Sequence, residues 1–278
     1  MNREFAIITT CKGRLHNLRR TLPEFLKQEK TEVIVVDYDC PDGTADYVAR
    51  VHPDARVVKV TDKPRFNLPH ARNLGAAQAR GEILIFLDAD VVIAGHFVEY
   101  VGKQLHERSF AHFAPPARNS LRGQSAVWRA DFEAIGGYDE LMDGYGGEDL
   151  DFYMRLRLAG GKPVLLAPDL VREVIEQTTE ERERYRSPDL KLQFLRGQLY
   201  SLAKEMVMSA QGSPVLAHAL RKKLMEQVDR RLGALYSGER DFVLEVALPD
   251  KYKRGFLREW EFSRSISVKA KRKKPART

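Results

Sequence analysis

Two acidic clusters in the 278-residue chain have the types and spacing to do chemistry. The first ends the apolar run ILIFLDADVVI, which delivers Asp88 and Asp90 to the terminus of a segment otherwise built of Ile, Leu, Val and Phe. Two carboxylates so near a core repel each other and are costly to desolvate unless a cation or strong donors compensate. Hard oxygen ligands of this kind suit Mg²⁺ or Mn²⁺, which bind through one or two carboxylates while phosphate oxygens fill other positions. The alternative is a solvated strand-end turn capped by the Asp side chains. The second cluster is GYGGEDLDFYMRLRLAG, where Gly146 and Gly147 free the backbone just before Glu148, Asp149 and Asp151 open a helical pattern. Acids in a first helical turn are ordinarily stabilised by the macrodipole and spare N–H groups, which is the structural reading. The Tyr138, Gly144, Tyr145 and Gly146 surroundings favour a flexible sugar-contacting loop instead.

These side chains need elements to position them. Over the first ninety residues β-rich runs (FAIITT, EVIVVD, RVVKV, EILIFLD) alternate with helical stretches at Leu15 to Gln28, Thr44 to Val51 and LPHARNLGAAQAR. Continuous Val/Ile/Leu runs suit strands buried on both faces, so the pattern predicts a mostly parallel sheet with helices on both faces, a Rossmann-like α/β unit. In such sheets ligands sit beyond the carboxyl ends of the strands, which directs attention to Thr9 and Thr10, Asp37, and Asp88 with Asp90. Residues 95 to 170 read as mainly loops, and 188 to 236 as two long helices separated by QGSP. The expected division is a catalytic unit at 1–170, a helical appendage at 171–240 and an extension with a basic tail at 241–278.

Several classes are excluded. TTCKGR after the first strand is no dinucleotide fingerprint, and no GxxxxGK[ST] phosphate loop occurs. The net charge of +7 is concentrated in residues 269–278, which hold six Lys or Arg and no acid; the remaining 40 basic and 39 acidic side chains nearly cancel. A broad nucleic-acid-binding face is therefore not expected. Cys11 and Cys40 are too few for a disulfide framework, follow adjacent strands and read as free thiols close together. With no apolar run near 20 residues and no signal-peptide core, the expected location is cytoplasmic.

Taken in order, IITTCKGR, VIVVDYDCPDGT, FNLPHARNLGAAQARGEILIFLDAD, IGGYDE and GYGGEDLDFYMRLRLAG resemble the inverting glycosyltransferases of the GT-A fold, family-2 type, over residues 4 to 165. The Tyr145 to Asp149 segment is also similar to the Trp-Gly-Gly-Glu-Asp loop of β-galactosyltransferases. The resemblance implies a nucleotide-sugar donor, UDP-linked first of all, a divalent cation (Mn²⁺ or Mg²⁺), and a glycan, lipid-linked or other cell-envelope acceptor. It makes Thr9, Asp37, Arg72 and Asn73 donor contacts, Asp88 a ribose or metal-water contact, and Asp90 the metal ligand. Asp149 becomes the general base, Glu148 its acceptor-orienting neighbour, and Tyr145, Gly146 and Gly147 the acceptor loop. Nucleotidyl transfer and a non-catalytic nucleotide or sugar binder are the rival readings.

Tyr38 stands where many relatives carry a second Asp, so it either stacks on the base or packs in the core. No His occurs between His112 and His218 to complete a metal site. Arg14 reads as a phosphate contact or an exposed helix start, and Trp128 as a sugar platform or core packing. The C-terminal helices fit a cap, a homo-oligomer interface or a docking surface. KYKRGFLREWEF with the basic tail is compatible with a membrane surface at the cytoplasmic face, where each Lys or Arg adds up to about 1 kcal/mol; a solvated tail is the alternative.

Overall fold

The computed structural model of the protein describes residues 4–114, 121–178, 180–181, 184–185, 189–236, 241–248 and 264–271. The first part alternates as its sequence predicts: β1 (Phe5–Cys11), α1 (Leu15–Leu26), β2 (Thr31–Tyr38), α2 (Thr44–Val51), β3 (Arg56–Val60), α3 (Leu68–Gln78) and β4 (Ile83–Phe86). The chain then adds β5 (Val91–Ile93), α4 (Phe97–Gln104), β6 (Ser109–Phe113), β7 (Ser125–Trp128), α5 (Arg129–Ala134), α6 (Glu148–Leu158), β8 (Lys162–Leu166) and β9 (Val171–Val174). Seven strands form one sheet in the order β3-β2-β1-β4-β7-β6-β8, and β7 alone runs against its neighbours.

Strand alternation sorts the core onto two faces. Ile7, Val33, Val35, Ile83 and Ile85 pack with α1 and α4 through Leu18, Leu22, Phe25, Phe97 and Val101. Their sequence neighbours Ala6, Ile8, Ile34, Val36, Leu84 and Phe86 face α3, α5 and α6 through Ala71, Phe132, Phe152 and Leu156. The α/β fold with helices on both faces is thus as expected. The loop-rich reading of 95 to 170 is not: β6, β7 and β8 complete the sheet there, and SFAHF is buried along its whole length. Strands of four or five residues bounded by irregular segments carry too little periodicity to be told from loop.

The expected boundary at residue 170 falls just before β9, which pairs back onto β5 of the first unit. Two helices follow, α7 (Leu190–Gln211) and α8 (His218–Tyr236). A hairpin, β10 (Asp241–Leu248) with β11 (Arg264–Lys271), packs on them. Leu199, Ala203 and Val207 of α7 meet Leu224, Val228 and Leu232 of α8, Leu244 of β10, and Met142 of the first unit in one apolar cluster. The basic tail is corrected in part: Lys269 pairs with Val243 and Lys271 with Asp241, so the start of the stretch is strand. Residues 272–278 and the KYKRGFLREWEF segment lie outside the described residues.

Charge as well as apolar area joins the appendage to the sheet. Asp139 accepts from Lys204 Nζ at 2.5 Å, Tyr200 Oη at 2.8 Å and Arg221 Nη1 at 2.6 Å. Burial raises its pKa, but Lys204, Arg221 and the Tyr200 hydroxyl together outweigh burial and hold the group at about 2, below its ordinary 3.8. A carboxyl depressed in the folded state stabilises above its unfolded pKa and loses that stabilisation as pH falls through its folded pKa. Acid titration should therefore release the α7 contact between about pH 4 and pH 2, followed by Tyr200 fluorescence in wild type against Asp139→Asn. Removing residues 264–278 should lower the unfolding midpoint and increase dye binding, because β10 then loses its only strand partner among the described residues; an unchanged midpoint would detach the hairpin from the folding unit.

Candidate functional site

The carboxyl ends of β1, β2 and β4 open on one side of the sheet. A cleft of about 500 Å³ lies there, lined by Asp88 and Asp90 after β4 and by Tyr145, Gly147, Glu148 and Asp149 at the start of α6. Arg14, Arg72, Arg122 and Gln177 also line it, and a narrower recess beside it is bounded by Thr10, Lys12, Arg14 and Asp88.

Asp88 is clamped. One oxygen accepts from Arg72 Nη2 at 2.9 Å, the other from Gln124 Nε2 at 2.8 Å, and Gln124 Oε1 accepts the Asp88 N–H at 2.7 Å. Arg72 is itself 1% exposed, lies over the Tyr138 ring and donates to the Gly123 carbonyl. Asp90 accepts from the Gln177 side-chain amide, and its backbone carbonyl from the Ile175 N–H at 2.8 Å. The DxD acids are therefore held at the cleft wall by long-range donors, which goes beyond a solvated turn.

The second acidic cluster divides. Asp151 is fully buried and pairs with Arg155 Nε at 2.8 Å, a structural role set by an ion pair one turn along the helix. Glu148 and Asp149 face the cleft. Gly147, at φ 95°, turns the chain into α6, and Asp149 Oδ1 accepts the Leu150 N–H at 2.8 Å in the first turn. Desolvation raises the Asp149 carboxyl above its ordinary value, while the Leu150 N–H and Arg72 act in the opposite sense. A carboxylate raised toward neutrality is a better proton acceptor at physiological pH.

Other expected residues are placed differently. Thr9 is fully buried on the α1 face with its hydroxyl unpartnered, and Thr10, the next residue, borders the recess instead. Both Asp37 oxygens accept backbone N–H groups, from Cys40 at 2.8 Å and Ala45 at 2.6 Å, so it orders the loop into α2. It also borders a separate hollow with Lys59 and Thr61. Tyr38, 2% exposed, packs edge-on against Phe66 and His70, with its hydroxyl 2.8 Å from His70 Nδ1; the packing alternative holds. Asn73 bonds Tyr138 through both backbone groups and Glu140 through its side chain, fixing the IGGYDE loop. Trp128 is at the wrong end: β7 runs antiparallel to β4, so Trp128 pairs with Ile83, the first β4 residue, and donates to the His106 carbonyl. Thr10 is among the strand-end polar residues the sequence points to, whereas Lys12, Arg122, Gln124 and Gln177 carry no such signal. Lys12, which donates to the carbonyls of Tyr38, Asp39 and Lys63, carried only its place after a strand as signal.

No group of three or more His, Cys, Asp or Glu is arranged as a metal site among the described residues. Yet three guanidinium groups and four carboxylates line the cleft, a balance of −1. Asp88 and Asp90 among them offer the hard oxygens that a divalent cation takes alongside phosphate. The residues fit the ion.

The two thiols lie just behind β1 and β2 with their sulfurs 3.9 Å apart, both free. Cys40 is lowered to about 6, first by its hydrogen bond with Cys11 and also by Thr44 and the Gly13 N–H; Cys11 is raised.

The sequence profile of glycosyl transferase family 2 matches residues 6–154. Among curated proteins, mouse polypeptide N-acetylgalactosaminyltransferase 12 is 25% identical over 206 residues, 55% of this chain and 35% of the relative. An uncharacterized glycosyltransferase of Bacillus subtilis, YfnE, is 33% identical over 87 residues, 31% of this chain and 22% of the relative. The chain thus spans about a fifth to a third of the length of these relatives. Among solved structures, S. aureus TarS 1–349 in complex with UDP-GlcNAc superposes with TM-score 0.58 at 17% identity, covering 84% of this chain and 73% of that one. The Pyrobaculum calidifontis mannosyltransferase PcManGT with GDP-Man and Mn²⁺ gives TM-score 0.54 at 17%, covering 86% and 76%.

Alkylation by iodoacetamide should modify Cys40 with a rate that rises through about pH 6 and is nearly constant above pH 7, while Cys11 stays protected until unfolding. Peptide mapping checks this; a Cys40 midpoint near the ordinary 9 would refute the thiol geometry.

Proposed function

The chain belongs to glycosyl transferase family 2, and from that premise we propose that it is an inverting transferase moving a sugar from a nucleoside diphosphate to an acceptor hydroxyl. The observation that carries the reading is that Asp149 lines the same cleft as Asp88 and Asp90. When bound, a divalent cation held by Asp90 and Asp88 would supply Lewis-acid stabilisation of the leaving diphosphate. Arg14, Arg72 and Arg122 line the same space and would neutralise phosphate oxygens, with Arg72 immobilised by its bond to Asp88.

Asp149 takes the proton of the acceptor hydroxyl from the side away from the phosphates. Attack on that side displaces the nucleotide with inversion at the anomeric carbon. Glu148, beside it in the first turn of α6, orients the acceptor, and the Tyr145–Gly147 loop forms the acceptor's approach. UDP-sugars are the first donors to test; TarS and PcManGT carry UDP-GlcNAc and GDP-Man in their structures, so both bases belong in the screen. A glycan or lipid-linked acceptor is the proposed second substrate. No described helix is long and apolar enough to cross a membrane; contact with a lipid surface would fall to the basic C-terminal segment.

Asp149→Asn should reduce transfer about 100- to 10,000-fold, the usual worth of a general base, and leave nucleotide affinity within about twofold. Asp90→Ala should abolish the Mn²⁺ dependence of nucleotide binding measured by calorimetry. Wild-type protein that neither transfers nor hydrolyses any UDP-, GDP-, CDP- or TDP-sugar with Mn²⁺, and Asp90→Ala that binds nucleotide as wild type does, would together sink the reading.

A further inference from the structure

Helix α7 lies beyond the segment that the family profile matches, yet it holds the acidic loop at both ends and in the middle. We propose that α7 is the positioning element for the Glu148–Asp149 loop, with Gly197 and Lys204 as its positioning residues. The effect on turnover rests on the role given to Asp149 above; the placement rests on geometry alone.

In the middle of the loop, a Cβ on Gly197 would stand 2.4 Å from the Gly146 carbonyl oxygen, so the loop backbone lies directly on the helix. Gly146 answers in kind: at φ 81°, its own Cβ would meet the Phe194 ring at 2.7 Å. A glycine inside a helix costs about 1 kcal/mol against alanine, so its presence at the contact has a local cost that the close approach offsets.

At the ends, one ammonium reaches both anchors. Lys204 Nζ is 2.5 Å from Asp139 Oδ2, where the IGGYDE segment leads into the loop, and 2.8 Å from Asp151 Oδ1 in the first turn of α6. Lys204 is 1% exposed, and Tyr200, one helical turn away, donates to the same Asp139 oxygen. A buried ion pair adds little net stability over well-packed apolar residues, and its best-attested use is to fix register. Here the register fixed is that of residues 139–151 on α7, and with it the aim of Asp149 into the cleft.

The test uses the full chain as Gly197→Ala and Lys204→Met. In Gly197→Ala, backbone amide exchange over 144–150 should rise about fivefold or more while β1 to β4 stay protected. UDP affinity with Mn²⁺ should stay within about twofold, and kcat for transfer should fall at least about tenfold with little change in donor KM, as expected when a reacting group is displaced. Lys204→Met should loosen the same segment; if it fails to fold, Gly197→Ala still decides. Exchange over 144–150 equal to wild type, or rising only in step with the strands, would reduce α7 to ordinary core packing and overturn the proposal. If wild type transfers no sugar at all, the functional reading fails by itself, and the exchange measurement still decides the positioning claim.

Discussion

Asp139 and Asp151 are almost completely buried, and the protein accommodates both because a single ammonium, Lys204, lies between them. Arg155 compensates Asp151 further and donates to the Ile135 and Gly137 carbonyls, while Arg221 reaches the other oxygen of Asp139. Removing the shared cation would leave two carboxylates in a low-dielectric interior, a change that typically costs about 3–5 kcal/mol. The α/β unit and the helices after it are therefore joined by charge that neither could bury alone. The apolar cluster of Met142, Tyr200, Val207 and Leu224 closes over the same junction and keeps water from it.

That constraint separates two kinds of acid within one helical turn. Asp151 is spent on the interior, and Glu148 and Asp149 are left to the cleft. The same separation recurs on the strand side. Asp37 is absorbed by two backbone N–H groups, whereas Asp88 and Asp90 are held at the cleft by Arg72, Gln124 and Gln177. Asp37 and Asp88 are both held by donors, and exposure separates them: Asp37 is only 3% exposed, while the Asp88 side chain keeps 31% of its surface and lone-pair capacity toward a ligand.

The first four strands of the sheet, the helices between them and both acidic clusters were legible because each is written in a short contiguous run, whereas β6, β7 and β8 were not. ILIFLDAD places its acids by strand length, and GYGGEDLD by glycine followed by a helical turn. What was illegible depends on direction and distance. Thr9 and Thr10 differ only in which face of β1 they occupy, a parity that fixes Thr9 under α1. Trp128 looked suited to an acceptor strand, but the antiparallel course of β7 carries it to the opposite end of the sheet from Asp88. The donors that hold the DxD acids come from residues 72, 124 and 177, and no local pattern announces a partner so far along the chain. Lys204 and Gly197 read as ordinary members of an amphipathic helix for the same reason.

The two walls of the cleft consequently differ in how they are held. Asp88 and Asp90 follow β4, whose register with β1 and β7 is set by backbone hydrogen bonds on both sides. Glu148 and Asp149 begin a helix reached through the glycine-rich segment 144–147, whose conformation has no ladder to fix it. A reaction that needs a base opposite a leaving group requires both walls to hold their separation, since an error of about 1 Å in placement can cost about a hundredfold in rate. The sheet supplies that rigidity for one wall. For the other it must come from packing against an element outside the sheet, and the face-to-face glycines of α7 and the loop, with an ammonium tied to both loop ends, meet that requirement.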